Sequence, residues 1–280
     1  MTVAIVTDSA SDLTPEQAAQ AGIRVVPLSV TFGAQTFQPG VNLSTAEFWE
    51  RMTAPAAPFP TTAAASPGDY TKAFQSAFDA GADAIVCVAV SGDLSGTLKS
   101  ALIAKGQFAD RDIRVVDSRS ASMGLGMLAQ MASEMAVAGE SAEAIERAVD
   151  NAKVRMIIFI ALDTLEYLKR GGRISGARAA VGTMLSIKPI ISVVDGIVEN
   201  ADRVRTRAKA RERCLELLTA KPIERATVLH TTNADIEEFH AKFLERADVD
   251  PGNVQLGLVG PSVGPHLGPG CVGATVIQRA

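Results

Sequence analysis

Cysteine and histidine are scarce in this chain of 280 residues, which contains three of each. The three cysteines lie far apart and none belongs to a Cys-x-x-Cys pair, so the sequence predicts neither a disulfide framework nor a zinc knuckle. Each thiol is expected to be a small buried hydrophobe in a reducing cytoplasm. There is no His-x-x-x-His pair, calcium-binding loop, Walker lysine loop or Gly-x-Ser-x-Gly elbow, so we expect no metal site and no cofactor.

Long apolar runs and an excess of basic charge are also absent. The apolar run at residues 157–162 is too short to span a bilayer. The first eight residues have no basic region and predict a strand, not a signal peptide. A formal net charge of −4 excludes a general nucleic-acid binder, although it is compatible with a local basic patch. These absences favour a soluble cytoplasmic protein, which we expect to be a monomer.

Short apolar, β-branched runs alternate with helical patterns along the chain. This alternation favours an α/β fold with largely parallel sheets flanked by helices. The near-continuous apolar strands agree, because parallel sheets are buried on both faces. The length suffices for two domains, and a long helical region over residues 120–153 is followed by a new series of strands and helices. We therefore predict two α/β domains, at residues 1–152 and 153–280.

The most distinctive segment is residues 260–270, in which seven of eleven residues are Gly or Pro. Gly permits backbone angles that a β-carbon forbids, and Pro fixes φ. The segment therefore predicts a shaped loop that carries one imidazole, that of His266. Histidine titrates near neutral pH and can hydrogen-bond a carboxylate or a phosphate. The alternative is a Gly/Pro turn with an incidental surface histidine.

Four hydroxyl-rich turns occur in the first half, each at an end of a predicted strand. Ligands of open α/β sheets bind beyond the carboxyl ends of the strands, so these turns are candidates for one crevice. In Ser95-Gly96-Thr97, a small run that opens a helix exposes backbone N–H groups to an anion; the alternative is an ordinary helix cap. The four turns are residues 7–12, 60–62, 91–97 and 117–120.

Two basic segments lie in the second half. Residues 164–175 predict a helix that ends at Gly171-Gly172. A helix C-terminus explains the neighbouring Lys169, but it explains the second glycine and Arg173 less well. Six cations lie within residues 203–213, which predict a helix with two basic stripes. That pattern indicates either a solvated face or a docking surface for an acidic partner or a membrane.

Taken in order, these motifs resemble the DegV family of bacterial fatty-acid-binding proteins, which includes the acyl-carrying subunits of fatty acid kinases. The resemblance implies two α/β domains and a long-chain fatty acid in a tunnel, with its carboxylate near the domain interface. It also implies a separate ATP-binding kinase subunit that phosphorylates the carboxylate, so that this chain is a carrier in phospholipid metabolism and not an enzyme. The motifs, which span essentially the whole chain, are residues 7–13, 94–97, 116–119, 165–174, 188–190, 195–196 and 266–270.

The resemblance also assigns roles to residues. Those that it places beside the fatty-acid carboxylate are Thr61, Thr62, Ser95, Gly96 and His266. It implicates Arg170 and His266 in phosphotransfer. It assigns kinase docking to Arg203, Arg205 and Arg207. Apolar residues over 184–194, together with Phe159, Ile160 and Leu162, either line the tunnel or form the core.

The chain departs from the family at several positions. No acidic residue precedes Gly40, Thr62 stands in place of a common Ser, and Leu267 stands in place of a common Thr. Two other interpretations remain open on the residues alone. One is a small-molecule acyl- or phosphoryl-transfer enzyme that uses Ser95 and His266. The other is a regulatory module whose partner surface is residues 203–213.

Overall fold

The computed structural model describes residues 1–174, 187–232 and 235–280. It contains two compact units, the first formed by Met1–Val154 with Gly260–Ser262 and the second by Arg155–Val259 with Val263–Ala280. The sequence placed one boundary between residues 152 and 153 and did not indicate that residues 260–262 belong to the first unit. The helix predicted over residues 177–184, and the apolar Met184 and Leu185, lie outside the described residues.

The first unit contains two sheets and the helices that follow their strands. Its strands are β1 (Val3–Asp8), β2 (Ile23–Val26), β3 (Ser29–Phe32), β4 (Gln35–Phe37), β5 (Thr61–Ala63), β6 (Ala84–Ala89) and β7 (Asp112–Asp117). Its helices are α1 (Pro15–Gln20), α2 (Thr45–Thr53), α3 (Pro67–Asp79), α4 (Thr97–Lys105), α5 (Met123–Val137) and α6 (Ala142–Lys153). A parallel sheet has the order β2-β1-β6-β7, and a small antiparallel sheet has the order β4-β3-β5.

Local sequence explains where these elements begin. Helices α1, α2 and α3 start with capping boxes in which the hydroxyls of Thr14, Ser44 and Ser66 accept a backbone hydrogen bond from the third helical residue. Proline occupies the first position of α1 and α3, where its missing N–H costs nothing. All six residues of β6 are buried, as expected for a central strand with helices on both faces.

The second unit is built on one six-stranded sheet. Its strands are β8 (Met156–Ala161), β9 (Lys188–Val194), β10 (Ile197–Val204), β11 (Ile223–His230), β12 (Val254–Leu258) and β13 (Val272–Gln278). Its helices in the described residues are α7 (Glu166–Arg170), α8 (Arg207–Leu218), α9 (Ile236–Arg246) and α10 (Gly264–Leu267). The strand order is β10-β9-β8-β13-β11-β12.

This second sheet departs from the largely parallel arrangement that the sequence predicted. Within the described strands, β11 and β12 pair in parallel, whereas the pairs β10/β9, β9/β8, β8/β13 and β13/β11 are antiparallel. One reason is the two-residue Asp195-Gly196 turn, in which both residues have positive φ. Such a turn joins neighbouring antiparallel strands. The apolar strands that suggested parallel pairing reflect burial on both faces, which a mixed sheet also provides.

The core of the second unit forms where α8 and α9 cover one face of the sheet. Phe239 and Phe243 of α9 and Cys214 and Leu215 of α8 belong to one buried cluster with strand residues such as Val228. All three cysteines of the chain are buried thiols without a disulfide, as predicted. No helix within residues 1–174, 187–232 and 235–280 combines the length and apolar character that crossing a membrane requires.

Candidate functional site

Three of the four hydroxyl-rich turns meet at the carboxyl edge of the parallel sheet. Residues 7–12, 91–97 and 117–120 follow β1, β6 and β7, and these three strands are neighbours in the sheet. The Ser91 N–H donates to the carbonyl of Ser120 at 2.9 Å, and the Val90 N–H donates to the carboxylate of Asp8 at 2.9 Å. The structure therefore brings together turns that the sequence singled out separately.

Asp8 holds this edge together from a fully buried position. Its carboxylate accepts hydrogen bonds from the N–H groups of Val90 and Ala10, at 2.9 and 3.0 Å, and from the Tyr70 hydroxyl at 3.4 Å. Burial raises the pKa of Asp8 to about 6, and the three hydrogen bonds oppose this rise. The carboxylate thus links β1, the end of β6 and α3.

A second carboxylate of the same turn is also perturbed. Asp12 has a left-handed backbone, with φ 55°, and accepts a hydrogen bond from Ser122 Oγ at 2.5 Å. Burial raises the pKa of Asp12 to about 7, against the effect of hydrogen bonds from Ser122 and the Gly260 backbone; the negative charge of Asp8 adds to the rise. Asp12 lines a groove of about 800 Å³ in the first unit, which gives solvent protons access to it.

The segment Gly260–Ser262 is anchored in the first unit beside these groups. Ser262 Oγ lies 2.8 Å from Ser9 Oγ, which in turn accepts the N–H of Leu28 at 2.9 Å. A β-carbon at position 260 would lie 2.7 Å from Asp12 Oδ1, so the close approach requires glycine. These contacts hold the chain two residues before the helix that carries His266.

The Ser95-Gly96-Thr97 turn opens α4 and lies against the segment that follows β5. Ser95 Oγ accepts the Thr97 N–H at 3.3 Å and lies 2.9 Å from Thr97 Oγ1. Thr97 Oγ1 accepts the N–H of Ala65 at 3.3 Å. The N-cap of α4 is Gly96, which has no side-chain cap, and the Ser95 hydroxyl instead closes a short turn onto the Thr97 N–H one residue before the helix.

Thr61 and Thr62 lie on β5, whose continuation is this same segment. Thr61 is exposed and Thr62 is partly buried, and the two pair with Thr31 and Val30 of β3. A β-carbon on Gly96 would be 3.8 Å from the β-carbon of Ala64, so the turn and the threonine segment are in close contact. The structure thus gathers the four predicted head-group residues of the first unit in one region.

His266 lies in α10, a helix of four residues, and its side chain is partly exposed. Burial, together with the smaller effect of the positive charge of Arg173, lowers the pKa of His266 to about 4. The expectation of a histidine that titrates near neutral pH is therefore wrong for this structure. At pH 7 the imidazole is neutral and offers one donor and one acceptor nitrogen.

Glycine is favoured at positions 171 and 172 for two different reasons. A β-carbon on Gly171 would overlap the His266 ring, so this glycine makes room for the imidazole. Gly172 has φ 71° and directly follows Gly171, the C-cap of α7, in a conformation that glycine favours. Arg173 donates to the carbonyl of Gly171 at 2.7 Å. These contacts account for the glycine and the arginine that a simple helix end left unexplained.

Arg170 is exposed as the last residue of α7, directly before Gly171. Gly268, at the end of α10, has φ 77°, and a β-carbon there would overlap the Tyr167 ring of α7. The ends of α7 and α10 therefore pack closely against each other, because the residue that follows each helix, Gly171 or Gly268, has no side chain. The structure places Arg170 and His266 on these two contacting helices.

The basic segment 203–213 differs from its prediction. Arg203 belongs to β10, Thr206 caps α8 by accepting the Lys209 N–H at 3.2 Å, and the helix begins at Arg207. The two predicted stripes, 203/207/211 and 205/209/213, are therefore wrong in their first residues only, because strand pairing and the Thr206 cap place Arg203 and Arg205 before the helix, whereas the other four cations lie on α8. Arg203 and Arg205 remain exposed.

Among the three arginines predicted to dock the kinase, Arg207 contacts other residues of the second unit. Its Nη2 lies 3.1 Å from Asp163 Oδ2 and donates to the Gly270 carbonyl at 3.0 Å. Lys188 pairs with the other oxygen of Asp163 at 3.1 Å. The predicted docking residue Arg207 thus also stabilises the loop that follows His266, through its hydrogen bond to the Gly270 carbonyl.

Sequence reasoning did not assign Asp8, Asp12, Ser262 and Thr231 individually, although each contacts a predicted turn or loop. Thr231 directly follows β11, so the strand-end rule applied to the first half would have found it. Burial and long-range partners, in contrast, leave no local pattern. In the described part of the chain, no group of three or more His, Cys, Asp or Glu side chains could hold a metal ion.

Comparison with known proteins identifies similar chains over the full length. A family model described as "Uncharacterised protein, DegV family" matches residues 2–279. A DegV domain-containing protein of Listeria innocua is 35% identical over 277 residues, which are 98% of this chain and 97% of the relative.

Solved structures agree with this match. A DegV family protein from Thermus thermophilus, named for fatty acid binding, has a TM-score of 0.92 and 33% identity, with 100% of both chains covered. A stearic acid-binding protein from Eubacterium ventriosum has a TM-score of 0.88 and 28% identity, with 98% of this chain and 97% of that chain covered. These likenesses confirm the predicted α/β fold.

We predict that the first unit becomes more stable as the pH falls from 8 to 6. The folded-state pKa values of Asp8 and Asp12, about 6 and 7, lie above the ordinary value of 3.8. The folded state therefore binds protons more tightly than the unfolded state, and its free energy of unfolding rises as the pH falls through these values. His266 belongs to the second unit, and its lowered pKa reduces the free energy of unfolding of that unit as the pH falls below about 6.5.

Urea unfolding followed by the fluorescence of Trp49, the one tryptophan of the chain and buried in the first unit, measures this effect. Between pH 8 and 6, Asp12→Asn should reduce the gain in stability by about 1 kcal/mol. The exposed Asp93→Asn serves as the control and should keep the wild-type profile. Equal pH profiles for wild type and Asp12→Asn would contradict the assignment.

Proposed function

This chain belongs to the DegV family, and we propose that it binds one long-chain fatty acid and presents the carboxylate to a separate ATP-dependent fatty acid kinase. The observation that supports this most is the full-length match to the Thermus structure named for fatty acid binding, with a TM-score of 0.92. In this proposal the chain is a cytoplasmic carrier that performs no catalysis itself, uses no cofactor and supplies acyl groups to phospholipid synthesis.

The head-group contacts we assign use neutral donors. Thr61 and Thr62 offer hydroxyls, and the turn at Ser95 and Gly96 lies at the start of α4, where the helix dipole favours an anion. His266 of the second unit, neutral at pH 7 because burial lowers its pKa to about 4, offers one N–H. A carboxylate held by neutral donors keeps its charge and its nucleophilic oxygen.

The acyl chain supplies most of the affinity in this proposal. Burial of about fifteen methylenes contributes roughly 12 kcal/mol before costs, at about 0.8 kcal/mol each. Association and ordering cost about 4–15 kcal/mol. A hydrogen bond to a charged group contributes about 1.5–3 kcal/mol. The head-group residues therefore serve chiefly to position the carboxylate.

The proposed reaction joins the carboxylate to the γ-phosphoryl group of ATP on the kinase. A carboxylate oxygen forms a bond to the γ-phosphorus, the bond from that phosphorus to the bridging oxygen breaks, and ADP leaves with the electron pair. The developing negative charge on the phosphoryl oxygens suits an exposed guanidinium, which is the role we assign to Arg170, while His266 supports the transfer by holding the attacking carboxylate in place.

Kinase docking is assigned to the exposed cations at the start of α8. Arg203, Arg205 and Lys209 are exposed and make no ion pair within the described residues, so an acidic partner can approach them without breaking internal contacts. Arg207 keeps part of its surface exposed while it pairs with Asp163. Such a surface steers association electrostatically; it would also suit transient contact with an anionic membrane.

Native mass spectrometry of the purified full-length protein tests ligand binding directly. We expect an added mass equal to one long-chain fatty acid, which extraction after denaturation releases and identifies. Protein from which lipid has been removed should regain this mass on incubation with oleate or palmitate. A protein that carries no lipid and takes up neither acid would contradict the proposal.

We predict that His266→Ala separates binding from transfer. Loss of one hydrogen bond to a charged group should weaken oleate binding by about an order of magnitude, because the acyl chain supplies most of the affinity. Acyl-phosphate formation by a fatty acid kinase and ATP should fall by about a hundredfold or more, since the attacking carboxylate is no longer held in its reactive position.

The matched control is His240→Ala, which removes an imidazole from α9 in the same unit. It should leave oleate binding and kinase turnover close to wild type. If His266→Ala abolished oleate binding, or left kinase turnover unchanged, the assigned role of His266 would be wrong.

A further inference from the structure

The loop that follows His266 is held by the buried side chain of Thr231, the first residue after His230 at the end of β11. Its exposed fraction is 0%. The hydroxyl donates to the carbonyl of Gly268 at 2.8 Å and accepts the N–H of Cys271 at 2.9 Å. Both hydrogen-bonding functions of one side chain are therefore used at the two ends of residues 268–271.

Backbone hydrogen bonds fasten the same turn to the same residue. The Thr231 N–H donates to the Cys271 carbonyl at 3.0 Å, and the Gly270 N–H donates to the Thr231 carbonyl at 3.2 Å. Gly268 also closes α10, because its N–H donates to the carbonyl of Gly264 at 2.9 Å. One residue, Gly268, thus connects the helix of His266 with Thr231.

A helix of four residues cannot hold its own geometry, since a single turn fixes several dihedral angles for very few hydrogen bonds. The position of His266 must therefore depend on contacts at the ends of α10 and on its packing. The packing is tight, because Gly171 leaves no room for a β-carbon under the imidazole. A small displacement of the Gly268 end would move the ring away from α7.

We propose that Thr231 is a positioning residue for His266: its hydroxyl fixes the C-terminal end of α10 and so holds the imidazole against Gly171. The consequence for acyl transfer rests on the proposed function, whereas the positioning itself does not. Arg207 assists from the exposed side, because it donates to the Gly270 carbonyl at 3.0 Å.

Thr231→Val is the direct test, since it keeps the branched shape and removes the hydroxyl. The Gly268 carbonyl and the Cys271 N–H then lose a buried partner, which favours a shift of the turn. Thr231→Ser keeps the hydroxyl and should restore the wild-type geometry.

The matched control is Thr227→Val on β11 itself. Thr227 is also 0% exposed, and its hydroxyl has no hydrogen-bond partner in the described part of the chain. This variant removes a buried threonine hydroxyl from the same sheet without touching the loop of His266.

The readout is the titration of the three imidazoles in heteronuclear NMR spectra of the full-length protein without added ligand, assigned with His230→Gln, His240→Gln and His266→Gln variants. In wild type the pKa of His266 should be near 4. In Thr231→Val the ring should become more exposed, and its pKa should rise by about one unit or more toward the ordinary value. Thr231→Ser and Thr227→Val should keep the wild-type titration.

Should Thr231→Val fail to fold, Arg207→Gln replaces it and should shift the His266 signals in the same direction by less. An unchanged His266 titration in Thr231→Val, or in its substitute, would overturn the proposal. Oleate uptake by wild type separates the two hypotheses: its absence would contradict the proposed function, while the titration would still decide the role of Thr231.

Discussion

The position of His266 depends on groups outside its own helix, because α10 closes only one turn. On one side, Gly171 leaves no room for a β-carbon, so the imidazole packs directly against the end of α7. After the helix, Thr231 holds the chain at Gly268 and Cys271 in the second unit. A loop rich in Gly and Pro suits this arrangement, since it can follow both anchor points and still present one imidazole.

At the carboxyl edge of the parallel sheet, a buried carboxylate likewise holds separate parts of the chain in place. Asp8 accepts three hydrogen bonds there, and these contacts connect turns that are distant in sequence. A buried charge is tolerated only when it is hydrogen-bonded, so the turns and the carboxylate depend on one another. The Ser95 turn is part of this edge, and its geometry is thereby set before any ligand arrives. In the proposed function, the neutral hydroxyl groups around it position a head group whose affinity comes mainly from the acyl chain.

Much of this could be predicted from residues with local signatures. The helix caps, the buried strands, the turns at strand ends and the loop of His266 all carry such signatures. The second sheet was predicted less well, although Asp195-Gly196 between two apolar runs is a strong hairpin signal. The helix start at Arg207 was missed because the run of cations obscured Thr206 as a cap. The lowered pKa of His266 and the role of Thr231 arise from burial and from partners far apart in sequence, which single-sequence patterns do not contain.

The central claim is that the Ser95 turn and His266 receive the carboxylate of a long-chain fatty acid. A crystal structure of the full-length protein with bound oleate tests it most directly. We predict a carboxylate oxygen within about 2.7–3.2 Å of a donor in the Ser95-Gly96 turn or the neighbouring threonines, and of a His266 nitrogen. An oleate whose carboxylate meets neither group, while its chain is buried elsewhere, would contradict the account.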